Sequence, residues 1–241
     1  MCLGCMAESL VLLPGLMCDG GVWAPLFVDL PADVSTQVAD YGLANSITAM
    51  AQIVLNTAPK RFALAGHSMG GRVALEVVRM APERVTRLAL LDTGYLARPA
   101  GNVGVQEAEK RHALLQIART QGVSSMAHTW VQGMVHPDRL SDIGLIVSII
   151  DMFSRKSSEV FACQIAALLA RPDASDVLRA LAVPTLILCG MQDAWSTPAQ
   201  HEEMRALVPH AALELVDAAG HMAPMEQPEA VARSFVRWLQ A

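Results

Sequence analysis

Ser68 stands at the centre of Gly66-His67-Ser68-Met69-Gly70, between the apolar run Phe62 to Ala65 and a segment with apolar residues at Val73, Leu75, Val77 and Val78. The run reads as a buried strand, the glycines as a sharp turn and the segment as a helix. In that setting G-x-S-x-G holds a serine hydroxyl exposed at a tight bend. The bend brings other backbone close, so the positions two before and two after the serine need glycine or something nearly as small. The helix start would add free N–H groups that favour developing negative charge. The plainer reading of the same residues is a strand-to-helix turn with a capping serine.

A serine hydroxyl attacks only when a neighbouring base takes its proton and a third group orients that base. Further along the chain, Asp193 follows the apolar run Leu186 to Gly190, and His221 follows Leu213 to Val216. Serine, acid and histidine in that chain order differ from both protease orders and match the α/β-hydrolase order. Asp92 also ends an apolar run, Val85 to Leu91, and is a second candidate for the acid. The placing of Gly190 and Pro198 around Asp193 favours the later residue; Asp92 otherwise serves as a turn residue with Thr93 and Gly94. His67 adjoins the serine, but neighbours on a sharp bend point apart, so it is expected to pack or hydrogen-bond within the turn. His112, His128, His136, His201 and His210 show no metal-ligand spacing and are expected to be solvated or locally bonded. No metal and no cofactor are called for, because the chemistry needs only water. Glu76 reads as a helix-surface charge and Glu226 as an N-terminal helix charge.

These residues require a scaffold that gathers strand exits along one rim. Apolar runs at Ser9–Leu13, Val34–Ala39, Phe62–Ala65, Val85–Leu91, Pro184–Cys189 and Ala211–Val216 alternate with helical patterns at Ser46–Leu55, after Ser68 to Met80, at Pro198–Leu207 and Pro228–Leu239. Alternation of this kind implies a mainly parallel sheet of about six strands with helices on both faces, and reactive groups beyond the strands' carboxyl ends. From Ala97 to Ala180 the pattern changes to amphipathic helices near Val105–Thr120, Ser124–Val135, Ser141–Phe153 and Glu159–Leu169. This reads as a helical insertion, with residues 1–96 and 181–241 forming the core and 97–180 the insertion. Trp23, Trp130, Met134 and Trp195, with Met152 and Phe153, could wall a pocket between the two, or simply fill their cores.

With 241 residues, 53% of them hydrophobic, the chain can bury one α/β domain with an insertion. A net charge of -5 and the absence of a Lys/Arg run argue against nucleic acid as a partner. No stretch approaches the roughly 20 apolar residues that span a bilayer, and Leu10 to Met17, interrupted by Pro14-Gly15, reads as a first strand rather than a leader. The expected setting is cytoplasmic, without stable membrane insertion. Five cysteines, an odd number, do not suggest a disulfide framework. Cys2-Leu3-Gly4-Cys5 is formally C-x-x-C, but it precedes the first strand and reads as a frayed tail; Met6 is an alternative start.

The sequence resembles the α/β-hydrolase superfamily in its lipase, esterase and lactonase branch. Gly66 to Gly71 resembles the nucleophile elbow, Gly190 to Pro198 the acid loop, Gly220 to Glu229 the histidine loop, and Leu12-Leu13-Pro14-Gly15-Leu16 the oxyanion loop. The family often has His-Gly where this chain has Pro14-Gly15, and against its pattern the chain begins at the strand usually counted third. The resemblance implies the α/β-hydrolase fold with a helical cap, Ser68 as nucleophile, His221 as base and Asp193 as its orienting acid. It further implies backbone N–H groups of Leu16 and Met69 as the oxyanion hole, where one missing donor costs about 3 kcal/mol. The implied substrate is a small-molecule carboxylic ester or lactone. C–C bond hydrolysis and amide hydrolysis use the same residues, and a receptor-like binding protein with little turnover is the reading from a different class.

Overall fold

The computed structural model describes residues 9–241; Cys2, Cys5 and Met6 lie outside the described residues. Six strands, β1 (Ser9–Leu13), β2 (Ser35–Val38), β3 (Phe62–His67), β4 (Val85–Leu91), β5 (Thr185–Gly190) and β6 (Ala212–Val216), form one sheet in the order β2-β1-β3-β4-β5-β6. Every neighbouring pair is parallel. The central strands are continuous apolar runs because helices cover both of their faces, whereas the edge strands β2 and β6 keep exposed positions. From β1 the chain moves outward to β2 and returns on the other side to β3. That reversal opens a crevice between the exits of β1 and β3, where ligands bind in sheets of this type.

Helices α1 (Ile47–Thr57) and α2 (Met69–Met80) precede the insertion, in which α3 (Gly101–Gln121), α4 (Val123–Trp130), α5 (Ile143–Ser154), α6 (Ser158–Leu169) and α7 (Ser175–Arg179) run between β4 and β5. The core resumes with α8 (Pro198–Leu207), the short α9 (Ala223–Glu226) and α10 (Pro228–Gln240). Local chemistry sets the boundaries. Ser46 caps α1 by accepting from Ala49 N at 3.1 Å, Asp142 caps α5 by accepting from Leu145 N at 3.1 Å, and Pro198 and Pro228 occupy first turns. The helix expected to reach Val135 ends at Trp130 and tightens into a 3₁₀ turn at Val131–Gly133. The short α7 and α9 carry too few periodic residues to stand out in sequence.

At the β3 to α2 bend the glycines are required by proximity. A Cβ on Gly66 would collide with the carbonyl of Gly70, and one on Gly70 with the carbonyl of Leu13 at the end of β1. A Cβ on Gly20 would meet nothing nearer than 3.8 Å. Gly70→Ala is therefore expected to destabilise the protein by about 2–3 kcal/mol in urea unfolding, with Gly20→Ala close to neutral; equal effects would remove the close approach as the reason for glycine at position 70.

Candidate active site

Ser68 sits where β3 ends and α2 begins, with φ 54° and ψ -118°, a conformation that L-residues avoid. Its N–H donates to Leu91 O at 2.9 Å and its carbonyl accepts from Thr93 Oγ1 at 2.6 Å, so β4 holds both sides of the bend. The hydroxyl is left to point along the rim, where Ser68 Oγ donates to His221 Nε2 at 2.8 Å.

His221 lies in the loop after β6 and donates from Nδ1 to Asp193 Oδ2 at 2.8 Å. That acceptor fixes the tautomer that leaves Nε2 free to take a proton. Asp193, in the loop after β5, accepts on its other oxygen from Trp195 N at 2.8 Å and Ser196 N at 3.0 Å. Burial alone would raise the Asp193 carboxyl, but His221 and these two N–H donors outweigh it and hold the group below its ordinary range. The three side chains expected at strand exits thus come into mutual hydrogen-bonding reach. Asp92 does not share that contact. It is fully buried and accepts from Gly190 N at 2.9 Å, and burial followed by the Asp193 charge pushes its carboxyl well above the usual range.

His67 is buried behind the serine and donates from Nε2 to the carbonyl of His221 at 2.8 Å, so the residue beside the serine supports the histidine loop. Its Nδ1 has no partner. Burial, then the proximity of His221, lowers its pKa to about 3. His201, expected to be solvated or locally bonded, is fully buried; Nδ1 donates to Thr197 O at 2.9 Å and Nε2 accepts from Thr93 N at 3.2 Å, joining α8 to the β4 exit. Packing of α8 against the sheet turned it inward.

Leu16 and Met69 line the same cavity as Ser68. Met69 is the first residue of α2, so its N–H has no acceptor within the helix. The loop carrying Leu16 is held by Tyr41 Oη donating to Pro14 O at 3.2 Å and by Met17, whose φ is 62°. The Met17 N–H donates to Gln164 Oε1 of α6 at 2.8 Å. Gln164 was not singled out from sequence. Its signal was a polar residue among Phe161, Ile165 and Leu168 on the buried stripe of a helix, where an amide persists only with a partner.

Glu226 was expected as a helix N-terminal charge, yet it ends α9, is 1% exposed, and accepts from the backbone N–H groups of His136, Gly220 and Met222 at 2.6, 2.9 and 3.2 Å. Burial raises its carboxyl, with the three donors opposing the shift. It binds the histidine loop to the insertion, as does His221 N donating to Met134 O at 2.6 Å. Glu76, expected on a helix surface, is likewise buried and takes a two-pronged ion pair from Arg79 at 2.7 and 2.8 Å.

A cavity of about 560 Å³ opens above Ser68 and His221. Trp130, Met134 and Trp195 line it with Phe153 and Phe161; Trp130 stacks on Trp195 at 5.7 Å, and Trp195 leans on the His221 ring at 4.9 Å. Trp23 does not line it. Its ring is fully buried, edge-on to His67 at 6.3 Å and packed on Phe235, because the turns around Gly20–Leu26 tuck it behind the histidine. Met152 is also turned into the core. Among the described residues, Asp92, Cys189 and Asp193 approach closely enough to share a cation. Asp193 already accepts from His221 and two backbone N–H groups, Asp92 is satisfied on Oδ1 alone, and burial pushes the Cys189 thiol up, away from the thiolate a metal needs.

Comparison with known proteins identifies the family. Residues 10–234 match the profile described as the Alpha/beta hydrolase family. The chain is 27% identical to the 2-succinyl-6-hydroxy-2,4-cyclohexadiene-1-carboxylate synthase of Salmonella heidelberg, covering 97% of this chain and 94% of the relative. It is also 27% identical to the pimeloyl-[acyl-carrier protein] methyl ester esterase of Photobacterium profundum, covering 92% and 91%. Among solved structures, a thermophilic esterase from Thermogutta terrifontis superposes with a TM-score of 0.83 at 28% identity, over 97% of this chain and 89% of that one.

Two stability measurements follow from these contacts. Removing the acceptor in Gln164→Leu strands the Met17 N–H in the interior and is expected to cost about 1–3 kcal/mol in urea unfolding; a neutral effect would dissociate α6 from the loop. His67 titrates near 3 when folded and near its ordinary 6.5 when unfolded. The unfolded chain therefore binds the extra proton between those values. The stability contributed by neutral His67 is complete above pH 6.5 and falls with pH by up to about 1.4 kcal/mol per unit. His67→Gln should flatten this acid limb relative to the parent protein, and parallel profiles would refute the assignment.

Proposed function

Because the chain belongs to the alpha/beta hydrolase family, we propose that it is a serine hydrolase that cleaves a carboxylic ester or lactone of small to medium size, with Ser68, His221 and Asp193 as its catalytic residues. The observation that carries this reading is the pair of 2.8 Å contacts, Ser68 Oγ to His221 Nε2 and His221 Nδ1 to Asp193 Oδ2, at the floor of a cavity large enough for such a substrate.

In this mechanism Ser68 Oγ attacks the carbonyl carbon while its proton passes to His221 Nε2. Asp193 stays ionised and steadies the imidazolium. The carbonyl oxygen becomes an oxyanion that accepts from the N–H groups of Met69 and Leu16, reinforced by the start of α2. The C–O bond to the leaving alcohol then breaks, and His221 returns the proton to that oxygen. An acyl-serine remains, which water attacks with His221 again as base, releasing the acid and restoring Ser68. Water is the only co-substrate. Residues 97–180 act as a cap over the core of 1–96 and 181–241, and Trp130, Met134 and Trp195 form the apolar wall that positions the substrate and excludes water. The relatives of similar identity include both a synthase and an esterase by name, so the choice of hydrolysis rests on the geometry at Ser68. No helix among the described residues is long and apolar enough to cross a membrane.

A serine-directed fluorophosphonate should label the protein, and a short 4-nitrophenyl ester should be turned over many times, with both lost in Ser68→Ala. Activity unchanged in Ser68→Ala would overturn the nucleophile, and one stoichiometric burst without turnover would favour a binding protein. Asp193→Asn is expected to lower kcat by about 10⁴ while Asp92→Asn costs less than about tenfold; the opposite ranking would move the acid role to Asp92.

A further inference from the structure

The lining of the cavity above Ser68 has two chemically different parts. One is the aromatic group of Trp130, Phe153, Phe161 and Trp195. The other is Arg72, Arg111 and Arg171, with the exposed Lys110 and with Glu107 as the only carboxylate among the lining residues. Three guanidinium groups around one carboxylate form an unbalanced cluster, and Glu107 is already used. Its two oxygens accept from Arg171 Nη1 and Nη2 at 2.7 and 2.8 Å, and Oε1 also from Arg111 Nε at 3.0 Å. Arg171 is completed by the carbonyls of Leu168 and Leu96.

Arg72 differs from the other two. It is half-buried, makes no ion pair among the described residues, and its one hydrogen bond runs from Nη1 to the Leu96 carbonyl at 2.8 Å, the same carbonyl that accepts from Arg171. The Nε/Nη2 edge is left over, and that edge can hold a carboxylate through two parallel N–H bonds. Gly94 keeps the guanidinium unobstructed on the cavity wall: a Cβ there would lie 2.6 Å from Nη2. Burial and the neighbouring charges of Arg171 and Arg111 disfavour the cation, with Glu107 and Asp173 only partly relieving it. An anion arriving from the cavity would remove that cost. Position matters as much as charge, since Arg72 lies in the first turn of α2, directly after Ser68, and both residues line the same cavity.

We propose that Arg72, backed by Arg111, Arg171 and Lys110, is a recognition site for a second, anionic group of the substrate, so that the ester or lactone taken by this site carries a free carboxylate a few bonds from the scissile carbonyl. This deepens the serine-hydrolase reading and rests on it for the reaction, but the site itself can be tested by binding alone.

In the binding arm, glutarate is titrated into Ser68→Ala protein and followed by the fluorescence of Trp130 and Trp195. Glutarate should bind at least about tenfold more tightly than the neutral glutaramide, and more weakly as salt rises. Arg72→Met should erase the difference, while Arg72→Lys, which keeps the charge but not the planar fork, should retain part of it. Salt-independent binding, equal affinity for the diamide, or inorganic phosphate binding as tightly as glutarate would overturn the carboxylate assignment.

In the kinetic arm, the ratio of kcat/KM for 4-nitrophenyl hydrogen glutarate over 4-nitrophenyl valerate should exceed about ten in the parent protein and fall by at least about tenfold in Arg72→Met. A ratio near one with both esters turned over would sink this inference and leave the hydrolase intact. Glutarate binding with no ester turned over would do the reverse.

Discussion

The left-handed bend at Ser68 depends on two absent side chains, since the space a Cβ would need on Gly66 or Gly70 is filled by the Gly70 and Leu13 carbonyls. Only with α2 pressed that closely on the ends of β1 and β3 can Ser68 hold φ 54° and lift its hydroxyl above the rim. The same strain recurs around it. The four non-glycine residues with positive φ among the described residues are Met17, Ser68, Asp92 and Ala218, each following a strand of the sheet. Conformations of this kind cost of order 1–3 kcal/mol apiece and persist where the surrounding structure over-determines them. Here the sheet does so: Ser68 N is tied to Leu91 O, Asp92 N to Leu188 O and Thr93 N to His201, so neighbouring strand exits brace one another.

The helical insertion contributes more than a wall. Gln164 of α6 holds Met17 in the loop that carries Leu16, and Asp19 at the end of that loop pairs with Arg155 at 2.7 and 2.9 Å. On the opposite side, Met134 O and the Glu226 carboxylate fasten His221, Gly220 and Met222 to the segment after α4. The loops flanking Ser68 therefore lean on the segment that encloses the cavity. Disturbance of the insertion would be felt at the hydroxyl and imidazole as well as at the pocket wall.

Charge is distributed around the site by burial and pairing. Asp193 is kept ionised by His221 and two backbone donors, whereas Asp92, buried beside it without comparable support, is pushed toward its neutral form. Two carboxyl groups of one residue type on adjacent strand exits thus acquire different electrostatic characters. Among the basic residues of the cavity lining the balance is reversed, with Glu107 consumed by Arg171 and Arg111 and the Arg72 guanidinium left without a carboxylate.

Much of this was legible in the chain because it is local. Continuous apolar runs marked buried parallel strands, the small residues around Ser68 marked a bend that admits no Cβ, and the serine, acid and histidine each stood at a strand exit. A helix start was readable too, as at Pro198. The roles of Glu226, Gln164 and Arg72 were not, because each depends on a partner far along the chain: Glu226 on His136, Gln164 on Met17, Arg72 on the charges of Arg111 and Arg171. Trp23 misled for the same reason, since residue type does not say which face of a turn meets the sheet. Order along the chain thus determined the scaffold and which polar side chains stand at its strand exits. Long-range packing decided which buried polar groups brace the loops and which charges line the cavity, because burial and pairing come into being only when distant segments meet.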